Sequence, residues 1–115
     1  MKEADVALAP LPQASGQVKR RPVILLRVMP PYGDFLVCGV SSQLRQEVSG
    51  FDDPIVPGDR DFPSSGLKVP SLIRLGFLAV MPASGLLGAI VSISNDRHQR
   101  LLARLSNHLR PVSTK

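Results

Sequence analysis

The chain has no tryptophan, one cysteine, one tyrosine, four phenylalanines and two histidines. Each scarcity excludes something. With so few rings, the core has to be built from Leu, Ile, Val and Ala. A lone cysteine makes no internal disulfide, which fits a reducing compartment. Cys38 stands in the apolar run 35–40 and reads as a small buried hydrophobe. No histidine precedes His98, so no local motif activates that thiol as a nucleophile. Charge of one sign is also short. Nine Asp and Glu face fourteen Lys and Arg, giving a net charge of +5 and a pI near 10.2. That excess tilts the chain toward an anionic partner: nucleic acid, an acidic protein segment or a membrane surface.

A membrane-spanning run is imitated once. Residues 75–94 carry no charge, about the length that crosses a bilayer. Pro82-Ala83-Ser84-Gly85 interrupts them with a turn signal, so the stretch reads as strands 78–81 and 87–93 joined by a turn. The opening Met1-Lys2-Glu3-Ala4-Asp5 has no apolar signal-like core. The expectation is a cytoplasmic protein with no membrane partner.

What is there is proline and glycine. Eleven prolines and nine glycines in 115 residues, with 43% hydrophobic residues, suit one domain of short elements joined by turns. A strand is expected at 5–9, ended by Pro10 and Pro12. A polar loop hinged at Gly16 follows to residue 20. Strands at 23–28 and 35–41 form an antiparallel pair across the turn 29–34. Residues 47–66 are irregular. Their four aspartates, Asp52, Asp53, Asp59 and Asp61, match no metal-loop spacing and read as a solvated acidic loop. Ile55-Val56 is an edge-strand candidate. Another strand covers 71–75 and stops at Gly76.

One helix is expected, over 94–109. Ser94 is its N-cap, Asp96 suits the positive end of the dipole, and Pro111 stops it. Leu101, Leu102, Leu105 and Leu109 form its apolar stripe. Arg97, Arg100, Arg104 and Arg110 lie largely off that stripe. His98 and His108 read as surface or half-buried. Residues 111–115 read as a frayed tail. The fold class is mostly β with one C-terminal amphipathic helix.

The chemistry concentrates at the junction Gly16-Gln17-Val18-Lys19-Arg20-Arg21-Pro22-Val23. Pro22 fixes its own φ and drives Arg21 into an extended conformation. A guanidinium thus stands at the mouth of a buried strand, and its planar fork suits a phosphate. Ser41, Ser42 and Gln43 end the second strong strand with polar groups, where side chains can leave the core and meet a ligand. Arg74, inside a strand, either faces solvent or lines the same surface as Arg21.

The order of these pieces resembles the MazF/PemK family of toxins of type II toxin–antitoxin modules. Four segments carry the likeness: Ala4-Asp5-Val6; Gly16 through Leu25 with its Arg21-Pro22 junction; Val37 through Gln43; and Gly66 through Leu75 followed by 88–109. The resemblance implies a small, curved, SH3-like β-barrel with a C-terminal helix over 4–109, and a homodimer. It implies metal-independent, sequence-specific cleavage of single-stranded RNA without a cofactor. A 2′-hydroxyl attacks the adjacent phosphorus, leaving a cyclic phosphate and a 5′-hydroxyl. Arg21 matches a catalytic arginine and Ser41 a strand-end Thr or Ser. Gln17, Lys19, Arg20, Ser42, Gln43 and Arg74 would contact RNA, and a cognate antitoxin would cover the groove.

Two departures limit the carry-over. Ala14 stands near where some members have a histidine. Gly76 stands where an aspartate follows the arginine matched by Arg74. A histidine–aspartate acid–base pair is therefore absent, and the general base is unassigned. The alternative is a non-catalytic protein on the same scaffold, binding RNA or an antitoxin. The route of the related CcdB toxins to gyrase uses a tryptophan-containing C-terminus that this chain lacks.

Overall fold

The run Val23-Ile24-Leu25-Leu26 is fully buried and is the hub of the fold. In a strand, successive side chains face opposite sides. Ile24 and Leu26 therefore enter one apolar cluster with Cys38, Ile73, Leu75, Leu101 and Leu105. Val23 and Leu25 enter a second, with Ala7, Ala9, Phe35, Val37 and Leu86. A strand buried on both faces needs cover on both. The computed structural model, which describes residues 1–88 and 91–112, shows how the chain supplies it.

Five antiparallel strands form one sheet in the order β1-β2-β3-β5-β4. They are β1 (Val6–Pro12), β2 (Val18–Met29), β3 (Asp34–Ser41), β4 (Asp53–Ile55) and β5 (Ser71–Met81). A short helix α1 (Phe62–Ser65) precedes β5, and α2 (Asn95–Leu109) closes the described chain. The register shifts between Leu25 and Arg27 on β2, and between Cys38 and Gly39 on β3. Such irregularities bend strands and increase twist, which curls the sheet. The mostly-β class with one C-terminal amphipathic helix is what the sequence predicts.

The helix is capped as expected: the Ser94 Oγ accepts from the Arg97 N–H at 3.1 Å. Leu101 and Leu105 face the sheet. His98 is buried, not at the surface, and its Nε2 lies 2.8 Å from the Leu26 carbonyl oxygen. The imidazole thus fastens the helix to the hub strand.

Several sequence expectations are corrected. The first strand does not end at Pro10 but runs on to Pro12. The Leu8 N–H points away from β2, to the Leu87 carbonyl. Pro10 and Pro12 share that parity, so their missing N–H groups cost the β1–β2 ladder nothing. The loop expected at 12–20 shrinks to a turn around Gly16 (φ +85°), because β2 already starts at Val18. Gly76 does not end a strand. β5 passes through it, and the three-residue excess lets Gly39 sit under Phe77, whose Cδ1 would lie 3.1 Å from a Cβ at that position.

The hairpin expected across Pro82–Gly85 does not form in the described residues. Residues 86–88 and 91–93 instead run along the outer edge of β1, through Leu8↔Leu87 and Asp5↔Ser92 bridges, and satisfy its exposed backbone groups. The middle of the expected strand 87–93 and the last three residues of the expected tail lie outside the described residues.

The acidic stretch is not solvated. Asp52, Asp53 and Asp61 are buried, and so is Arg97, which the helical stripe places largely outside. Arg97 contacts Asp53, Asp59 and Asp61, while Arg100 and Arg104 also reach Asp53. Buried carboxylates are tolerated only when paired, and here the helix brings the cations. Asp52 instead caps backbone: its carboxylate accepts from the Val48 N–H at 2.9 Å and the Leu75 N–H at 3.2 Å.

Candidate active site

Pro22 sets the geometry of the site. Val23 lies opposite Ala7 on β1, and the next odd residue, Leu25, sends its N–H to Asp5 on that side. Position 22 therefore points its nitrogen toward β3, where proline has no hydrogen to give. The β2–β3 ladder ends at Val23↔Gly39, although both strands continue. Past that rung lie Arg21 on β2 and Ser41 on β3.

A cleft of about 520 Å3 occupies the opening. Arg21, Ser41 and Ser42 line it, with Lys68, Ser65 and Ser71 from the segment joining α1 to β5. Apolar walls come from Leu8, Pro22, Leu67, Val69, Leu87 and Val91. Gly66 forms part of the wall. Its φ is +73°, and a Cβ there would lie 2.9 Å from the Val91 Cγ1, so no side chain fits.

The polar groups differ in what they have left to offer. The Ser65 hydroxyl donates to the Phe62 carbonyl at 2.6 Å, and the Ser71 hydroxyl to the Val69 carbonyl at 2.7 Å. Both protons are committed. The Ser41 Oγ accepts from the Gln43 N–H at 3.0 Å, which leaves its own proton to donate outward. The Arg21 guanidinium is exposed and donates one bond, from Nη2 to the Gln13 Oε1 at 3.0 Å. Lys68 is exposed and forms no ion pair among the described residues. Among the described lining residues there are two cations, and no carboxylate or imidazole.

Of the residues singled out in the sequence, the fold brings Arg21, Ser41 and Ser42 to the cleft. Gln17, Lys19 and Arg20 stand exposed on the β1–β2 arm beside it. Arg20 shares the face of that arm with Pro22, a lining residue. Gln43 is exposed one step past Ser42 and contributes its backbone N–H to Ser41. Arg74 does not line the cleft. It faces Gly39 in the sheet, its Nη1 reaches the Gln46 Oε1 at 3.5 Å, and its Nε is buried without a partner. Sequence reasoning misses Lys68, because a lysine in a loop before a proline has no distinguishing context. Cys38 takes no part: burial pushes its thiol up to about 12, beyond what its backbone hydrogen bonds offset.

No protein-family model and no curated protein matches the sequence. Among solved structures the chain is similar to the Mycobacterium tuberculosis toxin MazF-mt6, with a TM-score of 0.64 and 21% identity, over 90% of this chain and 93% of that one. The five-stranded antiparallel sheet with its C-terminal helix thus has a MazF-type fold.

Proposed function

We propose that the chain is a toxin-type endoribonuclease that cuts single-stranded RNA at a phosphate held between Arg21 and Ser41. One observation carries the reading: the proline that interrupts the β2–β3 ladder opens a cleft that both residues line, with Lys68 as a second cation. The 2′-hydroxyl of the substrate gives its proton to water and attacks the adjacent phosphorus, and the bond to the 5′ oxygen breaks as that oxygen takes up a proton. A cyclic phosphate and a free 5′-hydroxyl remain. Negative charge grows on the non-bridging oxygens in between, and a fixed cation is the strongest available means of stabilising it. Arg21 fills that role and hands its fork to two oxygens at once. A guanidinium donates but does not accept, so Arg21 serves the leaving oxygen and not the attacking hydroxyl. The Ser41 hydroxyl donates to a non-bridging oxygen.

In this reading charge compensation falls to the two cations of the described lining, Arg21 and Lys68. Gln17, Lys19 and Arg20 on the neighbouring arm, with Ser42 and Gln43, hold flanking nucleotides. Phosphate contacts of this kind position the strand and read little sequence. The basic arm also suits an acidic antitoxin segment. Leu78 and Val80 expose an apolar strip on one face of β5 that suits a second copy of the chain. We place this activity in the cytoplasm, where single-stranded messenger RNA and a reduced Cys38 coexist.

The test is incubation with a long single-stranded RNA in EDTA, mapping new 5′ ends. Discrete cuts bearing 5′-hydroxyls, lost in Arg21→Ala with its thermal transition unchanged, support the reading. Cleavage by Arg21→Ala at the wild-type rate overturns it. The lack of any base in the described lining favours a second reading, RNA binding without cleavage. Intact RNA retained in a salt-sensitive complex would establish that one instead.

A further inference from the structure

We infer that Gln13 is a positioning residue that holds the Arg21 guanidinium for the phosphate, an inference that rests on the role proposed for Arg21. Gln13 opens the β1–β2 turn, and its backbone is fixed at both groups. Its N–H donates to the Gln17 carbonyl at 2.7 Å, and its carbonyl accepts from the Gly16 N–H at 2.9 Å. Its side chain is fixed at both ends as well. Nε2 donates to the Leu11 carbonyl at 3.1 Å, and Oε1 accepts from the Arg21 Nη2 at 3.0 Å.

The amide has one workable orientation. Turned over, its NH2 group would face the guanidinium, donor against donor, and its oxygen would face the Leu11 carbonyl. The Leu11 oxygen therefore dictates that an acceptor points at Arg21. A guanidinium has five N–H donors, and one bond to Gln13 leaves four for the substrate. An arginine side chain ordinarily carries about 2 kcal/mol of rotamer entropy. The glutamine removes part of that freedom before RNA arrives. It does so as a neutral acceptor, so the positive charge is left whole. A carboxylate at the same place would grip harder and cancel the charge that the phosphate needs.

The experiment compares Gln13→Ala, Gln13→Glu and Arg21→Ala in the full chain. Cleavage rates, RNA affinity against salt, and the mobility of the Arg21 Nε–H by 15N relaxation are read for each. Gln13→Ala is expected to lower kcat about tenfold, a fraction of the 10²-fold that gross misplacement costs. RNA affinity falls only a few-fold, the thermal transition stays near wild type, and Nε–H becomes mobile. Gln13→Glu is expected to keep Nε–H ordered while weakening RNA binding and its salt dependence. In an Arg21→Ala background, Gln13→Ala has no further effect on affinity.

Wild-type kcat in Gln13→Ala, beside an inactive Arg21→Ala, overturns the inference and leaves the role of Arg21 standing. An Arg21 Nε–H equally mobile in wild type and Gln13→Ala overturns it independently of any activity. Full cleavage by Arg21→Ala overturns the reading of Arg21 itself, and the relaxation data still decide whether Gln13 holds it.

Discussion

Arg97 and Asp61 form a two-pronged pair across thirty-six residues of chain, Nε to Oδ2 at 2.8 Å and Nη2 to Oδ1 at 3.0 Å. Both side chains are 7% exposed. The same guanidinium donates to Asp53, to Asp59 and to the Pro54 carbonyl. One side chain on α2 thus fixes the whole segment between β4 and α1.

Removing one partner of a buried ion pair leaves the others charged and unpaired. Arg97→Met should therefore destabilise the fold by about 3–5 kcal/mol. Urea denaturation monitored by far-UV circular dichroism measures it. Arg110→Met, at the exposed end of the same helix, should stay within about 0.5 kcal/mol of wild type.

The pair also makes stability depend on acid. Burial alone would raise the Asp61 pKa; the hydrogen bonds from Arg97 and from the Ser94 N–H outweigh it and hold it at about 2, below its ordinary 3.8. A depressed carboxylate contributes stability that is fully present above the unfolded pKa and is lost as pH falls through the folded one. Between pH 5 and pH 2 the contribution of Asp61 should shrink by about 2 kcal/mol. Urea midpoints taken across that range should fall more steeply for the wild type than for Asp61→Asn. Parallel curves would contradict the assignment.

Gly66 is a wall of the cleft that no other residue can replace without cost. Gly66→Ala places a Cβ where Val91 already stands and holds an L-residue at φ +73°. The backbone alone costs roughly 1–2 kcal/mol. The expected result is a lower melting temperature together with weaker RNA binding. Gly58→Ala, where a Cβ meets nothing, should be near neutral in both.

Lys68→Ala should weaken RNA binding at low salt and leave the melting temperature unchanged, since Lys68 touches the fold through no ion pair among the described residues. For one phosphate contact to a single strand, the log–log salt slope should shrink by about 0.7. Fluorescence-anisotropy titrations at several salt concentrations give that slope directly.

How far the sequence reveals this molecule varies by element. The hub strand and α2 are legible because periodicity alone defines them: a run buried on both faces, and a capped leucine stripe. Arg21, Ser41 and Ser42 are legible because proline and a strand end each imply a local geometry. The aspartates between 52 and 61 are not, since a charge reads as solvated until its counter-ion is known, and Arg97 lies far along the chain. The path of residues 86–93 is equally hidden. A turn signal gives a reversal but not which edge the returning chain meets. Charge alone groups Arg74 with the cleft, whereas it sits on β5, across from Gly39 on the side of β3 away from β2, reaches Gln46 and does not line the cleft.

The two prolines of β1 bear on how this protein stays apart from its neighbours. Their ring nitrogens occupy the outer margin of the β1–β2 arm beyond Leu87, where a free strand would otherwise present donors in a row. A second molecule trying to add a strand there finds no donors at Pro10 and Pro12 to bond with. The arm can therefore project its cations into solvent while offering little template for sheet growth along that margin.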